Sequence, residues 1–132
     1  MRGIGARDER GDHGAAAVEF ALVLPILVLL VGGIIDFGFA FNAQVSLTHA
    51  AREGVRVEAI GTGDGAQTAE DAFFAPAVIN GSVTASVTQD CDSHDAAQVT
   101  IEADYGFFFL SIIPFFPDEL TLQGQAVMRC GG

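Results

Sequence analysis

An uncharged apolar run near the N-terminus constrains the fold of this chain more than any other feature. Residues Phe20–Ile35 carry no charge, and only one proline and two glycines interrupt the aliphatic side chains. Apolar sequence continues before the run, over Ala15–Val18, and after it, over Phe37–Phe41. A bilayer core requires about 20 apolar residues of helix. The sequence therefore predicts one transmembrane segment, residues 15–41.

Three residues of this segment are unusual for a membrane helix. Asp36 lies where the helix is expected to leave the hydrocarbon, so its charge is easily accommodated. Glu19 lies within the start of the segment, where a carboxylate costs on the order of 2.5–3.5 kcal/mol unless it reaches headgroup water or a cationic partner. Pro25 is expected to kink the helix, either as a packing device between subunits or as a tolerated irregularity.

The arginines predict how the segment is oriented. Three arginines lie before it: Arg2, Arg7 and Arg10. The next arginine downstream is Arg52. Because positive residues stay on the cytoplasmic side, we expect residues 1–14 to form a cytoplasmic leader and the C-terminal part to be exported. A signal peptide cut after Ala40 is the alternative, although the apolar run is longer than that of a usual signal peptide.

The helix is predicted to continue beyond the membrane. No proline occurs between Asp36 and Ile60, and the alanines of this stretch favour helix. Apolar residues three or four apart predict an amphipathic helix over residues 42–60. The predicted apolar stripe consists of Phe37, Phe41, Val45, Thr48, Arg52 and Val55. Gly61 is a natural stop, so one helix of roughly 70 Å is expected from Ala15 to Ile60.

Residues 61–132 predict a small exported domain. A short helix over Ala66–Phe74 is expected to stop at Pro76. Three segments alternate polar and apolar residues with period two, as strands do. These are Ser82–Thr88, Gln98–Asp104 and Glu119–Met128. The predicted fold class is α+β, a long N-terminal helix followed by a small three-stranded antiparallel sheet.

Both cysteines lie in the exported part. In an antiparallel meander, Cys91 just past the first strand and Cys130 just past the third reach the same edge of the sheet. An oxidising compartment favours a disulfide between them, closing a loop of about 40 residues and adding roughly 3–4 kcal/mol of stability. Two free thiols in a cytosolic domain are the alternative. No metal site is expected, because His94 is the only candidate neighbour and a tetrahedral shell needs four ligands.

The segment Phe107–Phe116, called here the phenylalanine segment, is the most unusual part of the exported domain. Its sequence is FFFLSIIPFF, which is too short to span a membrane and is interrupted by Pro114. One interpretation is a loop that folds back onto the sheet and the helix and fills the core. The other is a surface patch that binds a partner or the bilayer.

The charge of the chain argues against nucleic acid as a partner. The formal net charge is -11, and the 89 residues after Ala43 carry 12 acids against three arginines. Such a surface repels nucleic acid and acidic lipid.

The sequence contains no recognisable catalytic motif. GTGDG lacks the lysine of a phosphate-binding loop, and no Ser or Cys nucleophile has a base beside it. We therefore expect no enzyme activity, no catalytic residues and no cofactor.

Two stretches of the chain resemble the TadE-like family of minor pseudopilins, which belong to the tight adherence (Flp) pilus machinery. They are AAVEFALVLPILVLL in the membrane segment and AAREGVR in the exported half of the helix. A hydrophilic leader precedes them, and a small strand domain ending in AVMRC follows. The resemblance implies a pilin-like fold and a structural role in pilus assembly. Its partners would be other pilins and pseudopilins and the pilus secretion platform.

The resemblance also implies processing by a prepilin peptidase. Pilin-like proteins of this class are cut after a glycine and carry a glutamate at the fifth mature position. Here the pattern maps to Gly14 before the cut, Ala15 as the new N-terminus and Glu19 as the fifth residue. Phe20 departs from the tyrosine that the major Flp pilins usually carry there. Glu19 would pair with the N-terminal amine of a neighbouring subunit, which offsets the cost of a carboxylate in lipid.

The stretch AAREGVR predicts a close helix contact. Small residues lie on one side of the helix: Ala50, Ala51 and Gly54. They allow another helix or strand to approach closely. Arg52 and Arg56 flank Glu53 and are expected to pair with nearby acids. We expect this face to dock on the chain's own strand domain, with a partner site as the alternative.

The predicted function is that of a pseudopilin, a single-pass protein of the bacterial inner membrane with its N-terminus in the cytoplasm. The first alternative is a permanently anchored, exported binding domain that keeps residues 1–14 and never enters a filament. The second is a secreted protein cut after Ala40. The three differ in the N-terminal residue of the mature protein.

Overall fold

The computed structural model describes residues 10–74 and 79–131, with side chains from Gly14 onward. The elements in chain order are helix α1 (Arg10–Ile60), helix α2 (Gly65–Ala72), strands β1 (Ile79–Gln89) and β2 (Ala96–Gly106), a 3-10 turn (Leu110–Ile112) and strand β3 (Glu119–Arg129). The predicted α+β class, a long helix followed by a three-stranded antiparallel sheet, is confirmed. Most of the predicted leader, together with Pro76, lies outside the described residues.

Helix α1 runs for 51 residues and passes through Pro25. Its length and composition suffice to cross a membrane, and the rest of the chain leaves its most apolar stretch almost entirely uncovered. The helix ends at Ile60. Gly61 follows with φ of 69°, and its N–H donates to the carbonyl oxygen of Glu58 over 3.1 Å. Gly61 is therefore the predicted stop, because glycine adopts this left-handed backbone without strain.

The strands form one antiparallel sheet in the order β1-β2-β3. Strands β2 and β3 pair without a break from Ala96 opposite Arg129 to Gly106 opposite Glu119. Alternate residues of the central strand β2 are buried against the helices: Ala97, Val99, Ile101, Ala103 and Tyr105. Successive side chains of a strand point to opposite faces, so one face of the sheet forms the core.

The C-terminal half of α1, residues 36–60, packs on this sheet through small side chains. The buried residues of this half are Asp36, Ala40, Ala43, Leu47, Ala50, Ala51, Gly54, Val55 and Ala59. Of the predicted stripe, Phe37, Phe41 and Val45 are exposed, and only Val55 enters the core. The predicted stripe is therefore wrong. The helix and sheet backbones approach too closely for large side chains, and alanine and glycine fill the contact.

Two glycines mark the closest approaches. A Cβ atom at Gly124 of β3 would lie 2.5 Å from the carbonyl carbon and oxygen of Leu47 in α1. A Cβ atom at Gly54 would meet the carbonyl oxygen of Gly65 and the side chain of Ala69 in α2. Glycine within an element often marks such a close backbone approach. Both glycines thus let α1 sit directly on its neighbours.

A disulfide joins Cys91 and Cys130, whose Cα atoms are 5.6 Å apart. Cys91 follows β1 and Cys130 follows β3, so the bond fastens the sheet at the end nearest the C-terminus of α1. There the N–H of Gly131 donates to the carbonyl oxygen of Ala59 over 3.4 Å. The bond spans 39 residues, and closing a loop of that length contributes roughly 3–4 kcal/mol in the chain-entropy model.

Candidate functional site

The predicted processing and assembly residues lie along the uncovered part of α1. They are Gly14, Ala15, Glu19, Phe20 and Pro25, and all five are exposed. Gly14 and Glu19 are separated by about 7.5 Å along the helix axis. Because α1 begins at Arg10, the predicted cleavage site lies within helical backbone. The C-terminal domain, formed by α2 and the sheet, covers none of these side chains, so they are accessible to other molecules.

The residues of AAREGVR divide between the core and the surface. Ala50, Ala51 and Gly54 are buried against the chain's own α2 and sheet. Arg52 and Arg56 are exposed. Arg56 lies 4.0 Å from Glu53, and such an exposed pair contributes little stability. The structure thus gives the small residues an intramolecular role.

Asp36 is the side chain that organises the junction between α1 and the C-terminal domain. It is 1% exposed. Its Oδ1 accepts a hydrogen bond from the N–H of Phe108 over 3.2 Å. Its Oδ2 accepts from the N–H groups of Phe109 and Leu110, each over 2.8 Å. Its backbone carbonyl accepts from the hydroxyl of Tyr105 over 2.8 Å. Four hydrogen bonds therefore fasten the phenylalanine segment and β2 to α1.

Tyr105 contributes the side-chain part of this junction. Burial of its hydroxyl, together with the negative charge of Asp36, raises the pKa of Tyr105 above its ordinary value of 10.0. The hydroxyl therefore remains protonated and donates its hydrogen bond at physiological pH. In the sequence, the signals for this contact were a carboxylate inside an apolar helix and the single tyrosine of the chain.

The phenylalanine segment divides into a buried and an exposed set. Phe107 and Leu110 are buried, and the ring of Phe107 lies edge-on to Tyr105 and Phe116 with centroid separations of 5.3 and 5.1 Å. Phe108, Ile112 and Phe115 are exposed. The segment thus turns one set of side chains into the core and leaves the other set facing outward. The core-filling interpretation is correct for the first set and wrong for the second.

Polar side chains elsewhere serve the fold. Glu102 and Asp104 accept hydrogen bonds from side chains of β3 on the outer face of the sheet. His49 and His94 are exposed and lie on different elements. Across residues 14–74 and 79–131, no group of three or more His, Cys, Asp or Glu side chains is placed to hold a metal ion.

Comparison with known proteins bears on the long helix. The family model described as TadE-like protein matches residues 14–56. This range starts at the predicted processing site, includes the apolar half of α1 and ends at Arg56, the last residue of AAREGVR. Searches of the curated proteins and of the solved structures return no match. Residues 14–56 of the chain therefore match the TadE-like family, as the sequence motifs predicted.

Proposed function

We propose that the protein is a pseudopilin, a membrane-anchored structural component of a tight adherence (Flp) pilus system. The observation that carries the proposal is the family match, which begins at Gly14 and covers the membrane half of α1. The uncovered surface of that half supports it, because pilin-like subunits associate through such helices. In this role the protein contributes packing surface rather than catalysis.

We infer that the N-terminus lies in the cytoplasm and that the exported domain lies outside the inner membrane. The arginines before the membrane segment support this orientation. The disulfide supports it as well, since disulfides persist in oxidising compartments.

Processing by a prepilin peptidase would hydrolyse the peptide bond between Gly14 and Ala15. The products are the leader, which ends in a carboxylate, and a mature chain whose Ala15 carries a free α-amino group. Glu19 then offers a carboxylate near the membrane edge to the amino group of a neighbouring subunit. The pair offsets the cost of placing a carboxylate in hydrocarbon, and the neighbouring subunit is thereby held in register.

A permanently anchored, unprocessed protein is the second candidate. The observation that favours it is the start of α1 at Arg10, which places the bond after Gly14 inside a helix. Cleavage requires the first turns of α1 to open. Helix ends open at little cost in free energy, so the helical start does not prevent processing.

Replacing Glu19 by glutamine separates processing from assembly. We expect Glu19→Gln to be cut after Gly14 like the wild type, because the peptidase acts on the preceding bond. We also expect its incorporation into pilus assemblies to fall more than about tenfold, since loss of a pair worth about 2 kcal/mol or more has that effect. Pull-down of co-assembled pilins from membrane extracts measures the loss.

Glu53→Gln is the matched control for this experiment. It makes the same chemical change on an exposed position of the same helix, and it should assemble normally. If Glu19→Gln assembles as well as the wild type, the proposed pairing of Glu19 is wrong.

A further inference from the structure

We propose that the phenylalanine segment is embedded in the bilayer, in the leaflet on the side of the exported domain. The phenylalanine segment would give the protein a second membrane contact beside α1. Lipid would cover the exposed apolar side chains of the segment. The proposal rests on the proposed anchoring of α1 in a membrane. The experiment below distinguishes failure of the anchor from failure of this second contact.

The phenylalanine segment lies against the membrane half of α1. A Cβ atom at Gly32 would lie 2.6 Å from Cγ of Phe109, so the ring of Phe109 rests directly on this glycine. One residue further along, a Cβ atom at Gly33 would lie 3.8 Å from Cδ2 of Leu110. The phenylalanine segment thus extends along α1 about 6 Å beyond Asp36, toward the N-terminus of the helix.

This contact sets the depth of the segment. A helix crosses the hydrocarbon core in about 20 residues. Counted from Ala15, the crossing ends near residue 34, and counted from Phe20 it ends near residue 39. Gly32 lies inside the crossing on either count. A ring packed on Gly32 is therefore at the level of the lipid acyl chains.

The surface that the segment presents is suited to lipid. The exposed fractions of Phe108, Ile112 and Phe115 are 71%, 70% and 98%. No charged residue occurs between Asp104 and Asp118, although the rest of the domain is acidic. Apolar surface of this kind marks a site of interaction, and its position beside a membrane helix makes the bilayer the matching partner.

Most backbone N–H groups of the segment are paired within the chain, which lowers the cost of placing its irregular backbone in lipid. An unpaired backbone polar group in hydrocarbon costs several kcal/mol. Residues 107–117 contain two prolines and nine backbone N–H groups. Seven of these N–H groups donate within the chain, three of them to the Asp36 carboxylate and four to backbone carbonyl oxygens.

Burial of the Asp36 carboxylate changes how much of α1 can lie within the hydrocarbon core. The uncharged run between Glu19 and Asp36 is about 24 Å long, shorter than a hydrocarbon core of about 30 Å. Because the phenylalanine segment encloses the Asp36 carboxylate, the crossing can extend to Phe37, Phe39 and Phe41, whose rings are exposed. This revises the expectation that the helix leaves the hydrocarbon at Asp36.

Tryptophan fluorescence tests the proposal, because the chain contains no tryptophan. Single tryptophans replace Phe115 and, in a second variant, Ile112. Each full-length protein is reconstituted in phosphatidylcholine vesicles with and without bromine atoms on the acyl chains, which quench nearby tryptophan. Ile26→Trp in the membrane half of α1 is the positive control. Phe74→Trp is the matched control, because Phe74 is also an exposed phenylalanine but lies two residues after α2, outside the phenylalanine segment.

We expect Phe115→Trp and Ile112→Trp to lose a fraction of their emission comparable to that lost by Ile26→Trp, with stronger quenching by bromines near the headgroups. Phe74→Trp should keep its emission. Quenching of Ile26→Trp alone would overturn the second contact and leave the anchor intact, and blue-shifted but unquenched emission at residue 115 would indicate a protein partner instead. If Ile26→Trp is also unquenched, the membrane anchor itself is wrong.

Discussion

Replacement of Asp36 by alanine is expected to lower the free energy of unfolding of the C-terminal domain by about 3 kcal/mol or more. The carboxylate accepts hydrogen bonds from three backbone N–H groups of the phenylalanine segment. Each hydrogen bond to a charged group contributes about 1.5–3 kcal/mol, and a buried donor left without an acceptor is destabilising in its own right. Asp36→Asn keeps one acceptor oxygen and should lose less than Asp36→Ala.

Urea unfolding of the full chain in detergent micelles measures this loss through the fluorescence of the single tyrosine. The fluorescence of Tyr105 reports on the surroundings of Asp36, because the hydroxyl of Tyr105 donates a hydrogen bond to the backbone carbonyl of Asp36. Hydrogen exchange of the amides of Phe108 and Leu110 should accelerate in the same variant. Asp71→Ala removes an exposed carboxylate from α2 and should change stability by less than about 0.5 kcal/mol. Unchanged stability and exchange in Asp36→Ala would contradict the assigned role.

Gly124→Val should destabilise the C-terminal domain by about 3 kcal/mol. Valine favours strands, so propensity alone predicts a gain in stability. The opposite is expected because a Cβ atom at Gly124 would lie 2.5 Å from the backbone carbonyl of Leu47. Backbone atoms of a helix cannot yield as a flexible side chain does, and overpacking of a core typically costs about 1–3 kcal/mol.

Gln125→Val is the control for Gly124→Val. It places the same residue on the next position of β3, where the side chain is exposed, and it should alter stability by less than about 0.5 kcal/mol. The same urea titration compares the two variants. Equal stability of Gly124→Val and the wild type would show that α1 and β3 are further apart than the structure places them.

Local patterns were sufficient to predict the two helices and the three strands of this fold, but not the 3-10 turn at Leu110–Ile112. The apolar run, the absence of proline between Pro25 and Ile60, and the glycines from Gly61 onward predict a helix that the structure ends at Ile60. Alternation with period two predicts all three strands, because a sheet that is buried on one face imposes that pattern. Cys91 lies just past the first strand and Cys130 just past the third. Antiparallel strand order alone predicts that these two positions meet at the same edge of the sheet.

The packing face of α1 could not be predicted from the same patterns. Large side chains such as Phe37 and Phe41 give the strongest apolar signal, yet the sheet packs on alanines and glycines. Which face is buried depends on how closely two backbones approach, and that distance is set by residues far apart in sequence, such as Leu47 and Gly124.

The hydrogen-bond partners of Asp36 could not be predicted from the sequence either. They are backbone N–H groups more than 70 residues away, and every residue except proline carries such a group. A carboxylate inside an apolar helix indicates that some partner exists, but it does not say which one. The same holds for Glu19, whose proposed partner belongs to another chain.

The N-terminal residue of the protein extracted from membranes of a strain that carries the prepilin peptidase tests the central claim most directly. Cleavage after Gly14 predicts a mature chain that begins at Ala15, with the leader absent from its mass. A chain that keeps Met1 would contradict processing and favour a permanently anchored protein. A chain that begins at Phe41 would contradict membrane anchoring altogether.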